Sequence, residues 1–242
     1  EIGSGLVGSE MCIRDSSKDC AKRLGVAAAD TAEALIEHAD TVVLAVKPGV
    51  FPSLLPSIAP YLQEKNPLVI SIAAGKTLGF IEEVLGFSPA LVRVMPNINA
   101  KVGAAMSAFC ANQQVTQEQK KLVARLFYAI GQVKELDEAF FPLFGVIAGS
   151  APAFAYLFID SLARAAVKNG MQKQVALEIA AQTVLGSAKL ILEGGEHPWA
   201  LIDQVCSPGG TTIEGIAALQ DAGFEAGVRK SVDAALEKDR RL

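Results

Sequence analysis

At 242 residues the chain can hold one large domain or two modest ones, and a domain of this size hides roughly 70% of its unfolded surface. It is 51% hydrophobic but only 6% aromatic, so its core must be built from Ala, Val, Leu and Ile, the residues of buried parallel strands and close-packed helices. A net charge of −4 excludes the basic face that a nucleic-acid or anionic-membrane partner requires.

Cys12, Cys20, Cys110 and Cys206 are scattered, and His38 and His197 are the only histidines. Zinc needs clustered ligands and a disulfide scaffold needs a short, Cys-dense chain, so neither is predicted; isolated thiols fit a reducing, cytoplasmic setting. Residues 140–159 carry no charge, a length that could span a bilayer. Pro142, Gly145, Gly149, Ser150 and Pro152 interrupt the stretch, which predicts a buried turn plus a core helix and no transmembrane segment.

In chain order, Gly3–Gly8 spells G-x-G-x-x-G, a phosphate-loop pattern that needs a strand before it and a helix after it. Only Glu1 and Ile2 precede it, and the residues that follow carry no apolar helical stripe, so the run to Ser16 reads as a cloning or assembly artefact. Met11–Arg14 is expected at best to form a short substitute strand. Asp30 and Glu33 form a capping box opening a helix over 32–39. The β-branched run at 41–46 predicts a doubly buried strand, 51–63 a helix whose ends Pro52, Pro56 and Pro60 blur, and 68–73 a second buried strand. A helix over 77–85, strands at 91–94 and 104–109, a Thr116–Gln119 box before a helix at 120–130, and a strand at 133–136 complete the series. Strands alternating with helices at this spacing predict an α/β, Rossmann-like, doubly wound parallel sheet, truncated at its N-terminus. Beyond it, helical runs at 152–169, 173–193, 198–205, 212–220 and 224–240 predict an all-α domain. The boundaries drawn are 1–137 and 138–242. The 173–193 helix is apolar almost all round, which predicts an oligomer interface.

Ligands of an open parallel sheet sit at the carboxyl ends of its strands. Three such ends carry small or Pro-punctuated segments: Ala45-Val46-Lys47-Pro48-Gly49, Ser71–Gly75 and Met95-Pro96-Asn97. Together they predict a cofactor cleft, with Ala45, Val46, Lys47, Pro48 and Asn97 as candidate binding residues. In Cys206–Glu214, Pro208 sets a turn and Gly209 and Gly210 release the backbone, while Thr211 and Glu214 form a capping box. Amides exposed at a positive helix end make a carboxylate or phosphate cradle, so Gly209, Gly210, Thr211 and Thr212 are candidate substrate ligands.

The strings AVKPG at 45–49, SIAAG at 71–75, RVMPN at 93–97, residues 149–171, and GSAKLILEGGEHPWALIDQVCSPGGTTIEGIAALQDAGF at 186–224 resemble pyrroline-5-carboxylate reductase from about Lys18 onward. Ile98-Asn99 departs from the Thr-Pro usual there. The resemblance implies a Rossmann domain, an all-α domain that interlocks two subunits as a homodimer or higher homo-oligomer, and NADPH or NADH as hydride donor. It implies reduction of the C=N bond of a cyclic imine carboxylate, the last step of proline synthesis. Thr212 is then the candidate catalytic residue, able to relay a proton to the ring nitrogen as water also could. Two other readings are an inactive relative that oligomerises without cofactor, and a β-hydroxyacid dehydrogenase, which needs a catalytic helical lysine; Lys168 and Lys189 lie in predicted helices but lack the surrounding motif.

Glycines with no strand to hold them do not preorganise amides on a pyrophosphate. Losing two or three charge-assisted bonds, at about 1.5–3 kcal/mol each, predicts binding weakened by roughly a hundredfold or more. Calorimetric titration of the 242-residue chain with NADPH checks this; micromolar binding means that Gly3–Gly8 works as a loop.

Overall fold

The computed structural model describes residues 18–19 and 21–241, so Gly3–Gly8 and Met11–Arg14 lie outside the described residues. The chain forms two compact units, the first ending at Gly149 and the second beginning at Ser150.

In the first unit, α1 (Ala32–His38) is capped by Thr31, not by the predicted Asp30. Thr31 adopts the extended N-cap conformation, and its Oγ1 accepts from the Ala34 amide at 3.1 Å. Strand β1 (Thr41–Leu44) leads to α2 (Phe51–Lys65), which runs unbroken through Pro56 and Pro60. Pro52, Pro56 and Pro60 recur every four residues on the exposed face, where water can satisfy the carbonyls they leave unbonded. Phe51, Leu55, Ile58 and Leu62 form the buried face. After β2 (Leu68–Ser71), Thr77 caps α3 (Leu78–Leu85). Then come β3 (Leu91–Met95), β4 (Ala105–Ala111), α4 (Gln117–Tyr128) and β5 (Gly131–Glu135). The predicted box at α4 is reciprocal: Thr116 Oγ1 accepts from the Gln119 amide at 3.2 Å, and Gln119 Oε1 accepts from the Thr116 amide at 2.8 Å.

The sheet order is β1-β2-β3-β4-β5. All neighbours are parallel except β3 and β4. The reversal departs from an all-parallel sheet for a simple reason. Strands β3 and β4 are joined by a tight turn through the 3-10 segment Ile98–Val102 with no crossover helix, and a parallel return needs one. Side chains alternate between two cores, as period 2 requires. Val69, Leu91, Ala108 and Cys110 face α2, α3 and Phe141, while Ile70, Val92, Val94, Phe109 and Val133 face α4. This is the doubly wound arrangement.

The first unit continues past the predicted 137/138 boundary because Phe141 is fully buried in its core. A connector follows: the 3-10 turn Glu138–Phe140, α5 (Phe141–Phe144) and a π-helical turn, Gly145–Ser150. It runs directly into α6 (Ala151–Lys168), so Pro152 at the predicted helix entry interrupts nothing.

The second unit holds α6, α7 (Lys173–Gly194), α8 (Pro198–Val205), α9 (Thr211–Asp221) and α10 (Phe224–Asp239). Ala163, Ala176 and Ala180 are its buried cluster, with Ile159 and Ala166 beside them. Large apolar side chains stay exposed on α6 and α7, among them Leu157 at 68%, Leu185 at 60% and Leu192 at 83%. The uncharged 140–159 stretch is therefore not simply core. Phe141, Val146 and Ala148 are buried, whereas Phe140, Ile147 and Tyr156 are exposed. Residues 138–168 and 173–194 form helices long and apolar enough to cross a membrane by length and composition.

Gly131, at φ +149°, has no room for a side chain. A Cβ there would lie 2.1 Å from the Ala105 carbonyl oxygen, backbone that cannot swing aside. Gly131→Ala should destabilise the first unit by about 2–3 kcal/mol through strain at β5. Urea unfolding monitored by far-UV dichroism measures it.

Candidate active site

The parallel β1, β2 and β3 end at one edge of the sheet, bringing Ala45–Pro48, Ile72–Gly75 and Met95–Asn97 together there. Ala45 and Lys47 are exposed, and Val46 and Pro48 half-buried. Lys47 precedes the 3-10 turn Pro48–Val50, its carbonyl accepting from the Val50 amide at 2.9 Å. The proline fixes the chain as it leaves the sheet, so the Lys47 ammonium projects from a rigid corner.

Asn97 also reaches this edge, with both ends of its side-chain amide engaged by backbone. Its Nδ2 donates to the Ala148 carbonyl at 2.9 Å, and its Oδ1 accepts from the Met106 amide at 3.2 Å. A carbonyl can only accept and an amide can only donate, so these partners force the orientation of the side-chain amide. Four residues earlier on the strand, Arg93 is a buried cation. Its guanidinium donates to Glu138 Oε1 at 2.9 Å and lies 4.5 Å from the centre of the Phe141 ring. The same Glu138 oxygen accepts from the Leu78 amide at the start of α3, also at 2.9 Å. One carboxylate thus neutralises a buried charge and satisfies an orphan helix donor. An arginine within the apolar run LVRVM is a legible signal that an acidic partner must exist. Its partner, 45 residues away, is not.

In the second unit, the Cys206–Glu214 segment makes a turn in which the Gly210 amide donates to the Ser207 carbonyl at 3.0 Å. Gly209 has φ +66°, a conformation that favours glycine. A Cβ on Gly210 would fall 2.3 Å from Ser207 Oγ, a side-chain tip that can rotate away, and 3.1 Å from the Ser207 carbonyl oxygen. The helix begins one residue before the predicted box. Gly210 is its N-cap, Thr211 is its first residue, and no side chain caps it. The Thr211–Glu214 box therefore does not form, because Thr211 is already helical. The first amides of α9 and the exposed Thr211 and Thr212 hydroxyls are left together at the positive end of the helix.

The two lysines considered for dehydrogenase chemistry do not occupy a comparable setting. Lys189 pairs with Glu193 at 3.7 Å on an exposed helical face, and Lys168 is exposed in the last turn of α6.

Comparison with known proteins decides the family. The pyrroline-5-carboxylate reductase dimerisation family matches residues 138–242. The reductase of Escherichia coli K12 is 42% identical over 221 residues, covering 91% of this chain and 81% of the relative. The chain belongs to the pyrroline-5-carboxylate reductase family. Among solved reductases, that of Streptococcus pyogenes matches with a TM-score of 0.83 at 36% identity, over 99% of this chain and 90% of the other. That of Plasmodium falciparum with NADP bound matches with a TM-score of 0.79 at 35% identity, over 89% and 82%. The family described as NADP oxidoreductase coenzyme F420-dependent matches residues 5–75, starting inside the Gly3–Gly8 run. The dimerisation match supports homo-oligomerisation of this chain.

Cys110 lies across the ladder from Arg93, and burial, with the Glu138 charge adding to it, pushes its thiol up to about 12. A thiol whose pKa is raised by folding contributes stability fully present below its unfolded value and lost as pH rises through the folded one. Here that window runs from about 9 to about 12. Iodoacetamide at pH 9 should therefore leave Cys110 unmodified in the native reductase and alkylate it in urea, as peptide mass mapping checks.

Proposed function

We propose that this chain reduces 1-pyrroline-5-carboxylate to L-proline with NADPH, or with NADH, in the cytoplasm. The observation that carries the reading is the uncapped start of α9. Two consecutive glycines, the first at φ +66°, lead into a helix start that no side chain caps, beside two exposed hydroxyls at a positive end. A carboxylate on a small ring suits that constellation. Family membership along both units supports it.

In this reading Ala45, Val46, Lys47 and Pro48 line the cofactor cleft. The residues fit a dinucleotide: Ala45 and Gly49 let ligand approach backbone, and Lys47 offers an exposed cation for a phosphate. When bound, the reduced nicotinamide supplies a hydride. Gly209, Gly210, Thr211 and Thr212 hold the substrate carboxylate, which fixes the face that the C=N carbon presents. The C=N electron pair moves to nitrogen as the carbon is reduced. A protonated iminium is already electrophilic, so the chain need only orient it and exclude alternatives. Where the imine arrives neutral, the Thr212 hydroxyl relays a proton to the ring nitrogen. We draw the functional domain boundary at 137/138, where the dimerisation match begins, with the second domain assembling at least as a homodimer.

The test is NADPH oxidation at millimolar cofactor, followed at 340 nm, with and without pyrroline-5-carboxylate. Oxidation should depend on the imine; turnover of a 3-hydroxyacid instead would remove the reading. Thr212→Ala should lower kcat/KM by roughly ten- to a hundredfold, as loss of a hydrogen bond to a charged group does, and raise the KM of the imine more than that of NADPH. An effect limited to thermal stability would mean that the hydroxyl serves only the helix.

A further inference from the structure

Strand β3 grips the connector along its whole length. Arg93, Met95 and Asn97 alternate along one extended segment and share one face, Asn97 continuing the extended backbone at φ −120° and ψ 174°. Each meets a different turn of the connector. Arg93 holds Glu138 and lies over Phe141. Met95 lies over Gly145, where an added Cβ would come within 3.5 Å of its Cε and 3.6 Å of its Sδ. Asn97 holds the Ala148 carbonyl. Connector positions 138, 141, 145 and 148 are spaced by three, four and three, one face of a helix, so a period-2 ladder is meshed with a helical stripe.

The mesh ends on the π-helical turn Gly145–Ser150, a conformation that is rare, occurs mostly as single turns within α-helices and is frequent at functional sites. Asn97 supports this turn from its side-chain amide, while its Oδ1 ties down Met106 at the start of β4. Both hydrogen-bonding ends of Asn97 are thereby used on backbone.

We propose that Arg93, Met95 and Asn97 are positioning residues for the reductase reaction. They hold the connector in register and keep the Met95-Pro96-Asn97 strand end in the shape that lines the cleft. Asn97 then contributes its backbone to the cleft, and its side chain is not a cofactor ligand. This rests on the reductase reading for its catalytic consequence but not for its structural one.

Two variants of the full chain test it, Asn97→Ala and the near-isosteric Asn97→Asp, which keeps the acceptor for Met106 and loses the donor to Ala148. Without cofactor, amide hydrogen exchange in residues 145–150 should rise about fivefold or more in both, the effect of losing one neutral hydrogen bond, with β1 and β2 unchanged. With cofactor and imine, kcat should fall about tenfold while the Kd for NADPH, from nicotinamide fluorescence, stays within about twofold. Unchanged exchange at 145–150 overturns the proposal, and so does a tenfold weaker NADPH Kd with kcat held. A wild-type chain inert toward the imine would sink the functional reading instead, and the exchange measurement alone would then decide the clasp.

Discussion

A guanidinium buried among apolar strands must find an anion, because an unpaired charge in that environment costs several kcal/mol. Arg93 sits on the third of five strands, its side chain 7% exposed, and the anion it finds comes from beyond the sheet, on Glu138. That single requirement organises much around it. It fixes where the chain goes after β5, since Glu138 must return to β3. It seats Phe141 under the guanidinium, adding the fully buried ring that makes the connector part of the first unit's core. It anchors the start of α3 through the Leu78 amide. Removing Glu138 alone would strand the guanidinium and the Leu78 amide together, whereas removing Arg93 would leave the carboxylate without its cation, so the pair, the ring and the helix end are coupled.

The second unit has the opposite problem. Its buried cluster is three alanines with two partly buried neighbours, while α6 and α7 display Leu157, Leu185 and Leu192 to the exterior of a single chain. Alanine cores allow helices to approach closely but release little apolar area, so most of the hydrophobic free energy available to these helices lies on their outer faces. Two readings of such faces compete, a bilayer and another copy. The family match over 138–242 favours another copy over a bilayer.

Much of this was legible in the sequence because periodicity and turn chemistry are local. The β-branched runs marked β1 and β2, the reciprocal Thr116–Gln119 cap marked α4, and the apolar α7 announced a surface in need of cover. The misreadings are also local and physical. Thr31 and Gly210 each took the N-cap conformation one residue from where composition pointed, since capping depends on backbone dihedrals that a short motif does not fix. The reversal of β4 follows from a turn too short for a crossover. What sequence could not supply was pairing at a distance. Arg93 finds Glu138 45 residues on, and Asn97 finds the Ala148 carbonyl 51 residues on, and no local pattern names either partner.

The chemistry explains why the site offers so few conspicuous residues. Reduction of an iminium needs no nucleophile, no metal and no strongly shifted acid, because the electrophile arrives activated and the electrons arrive as hydride. The free energy that the protein can contribute is geometric, and effective molarities for well-placed reactants reach about 10⁵ M or more. In the proposed reading such a site is made of turns and backbone: glycines that permit approach, a proline that fixes a corner, a helix end that would hold a carboxylate. Where placement is the catalyst, residues that never touch the substrate can matter as much as those that do. A ladder of an arginine, a methionine and an asparagine that holds one strand end still belongs to the catalytic apparatus on that account.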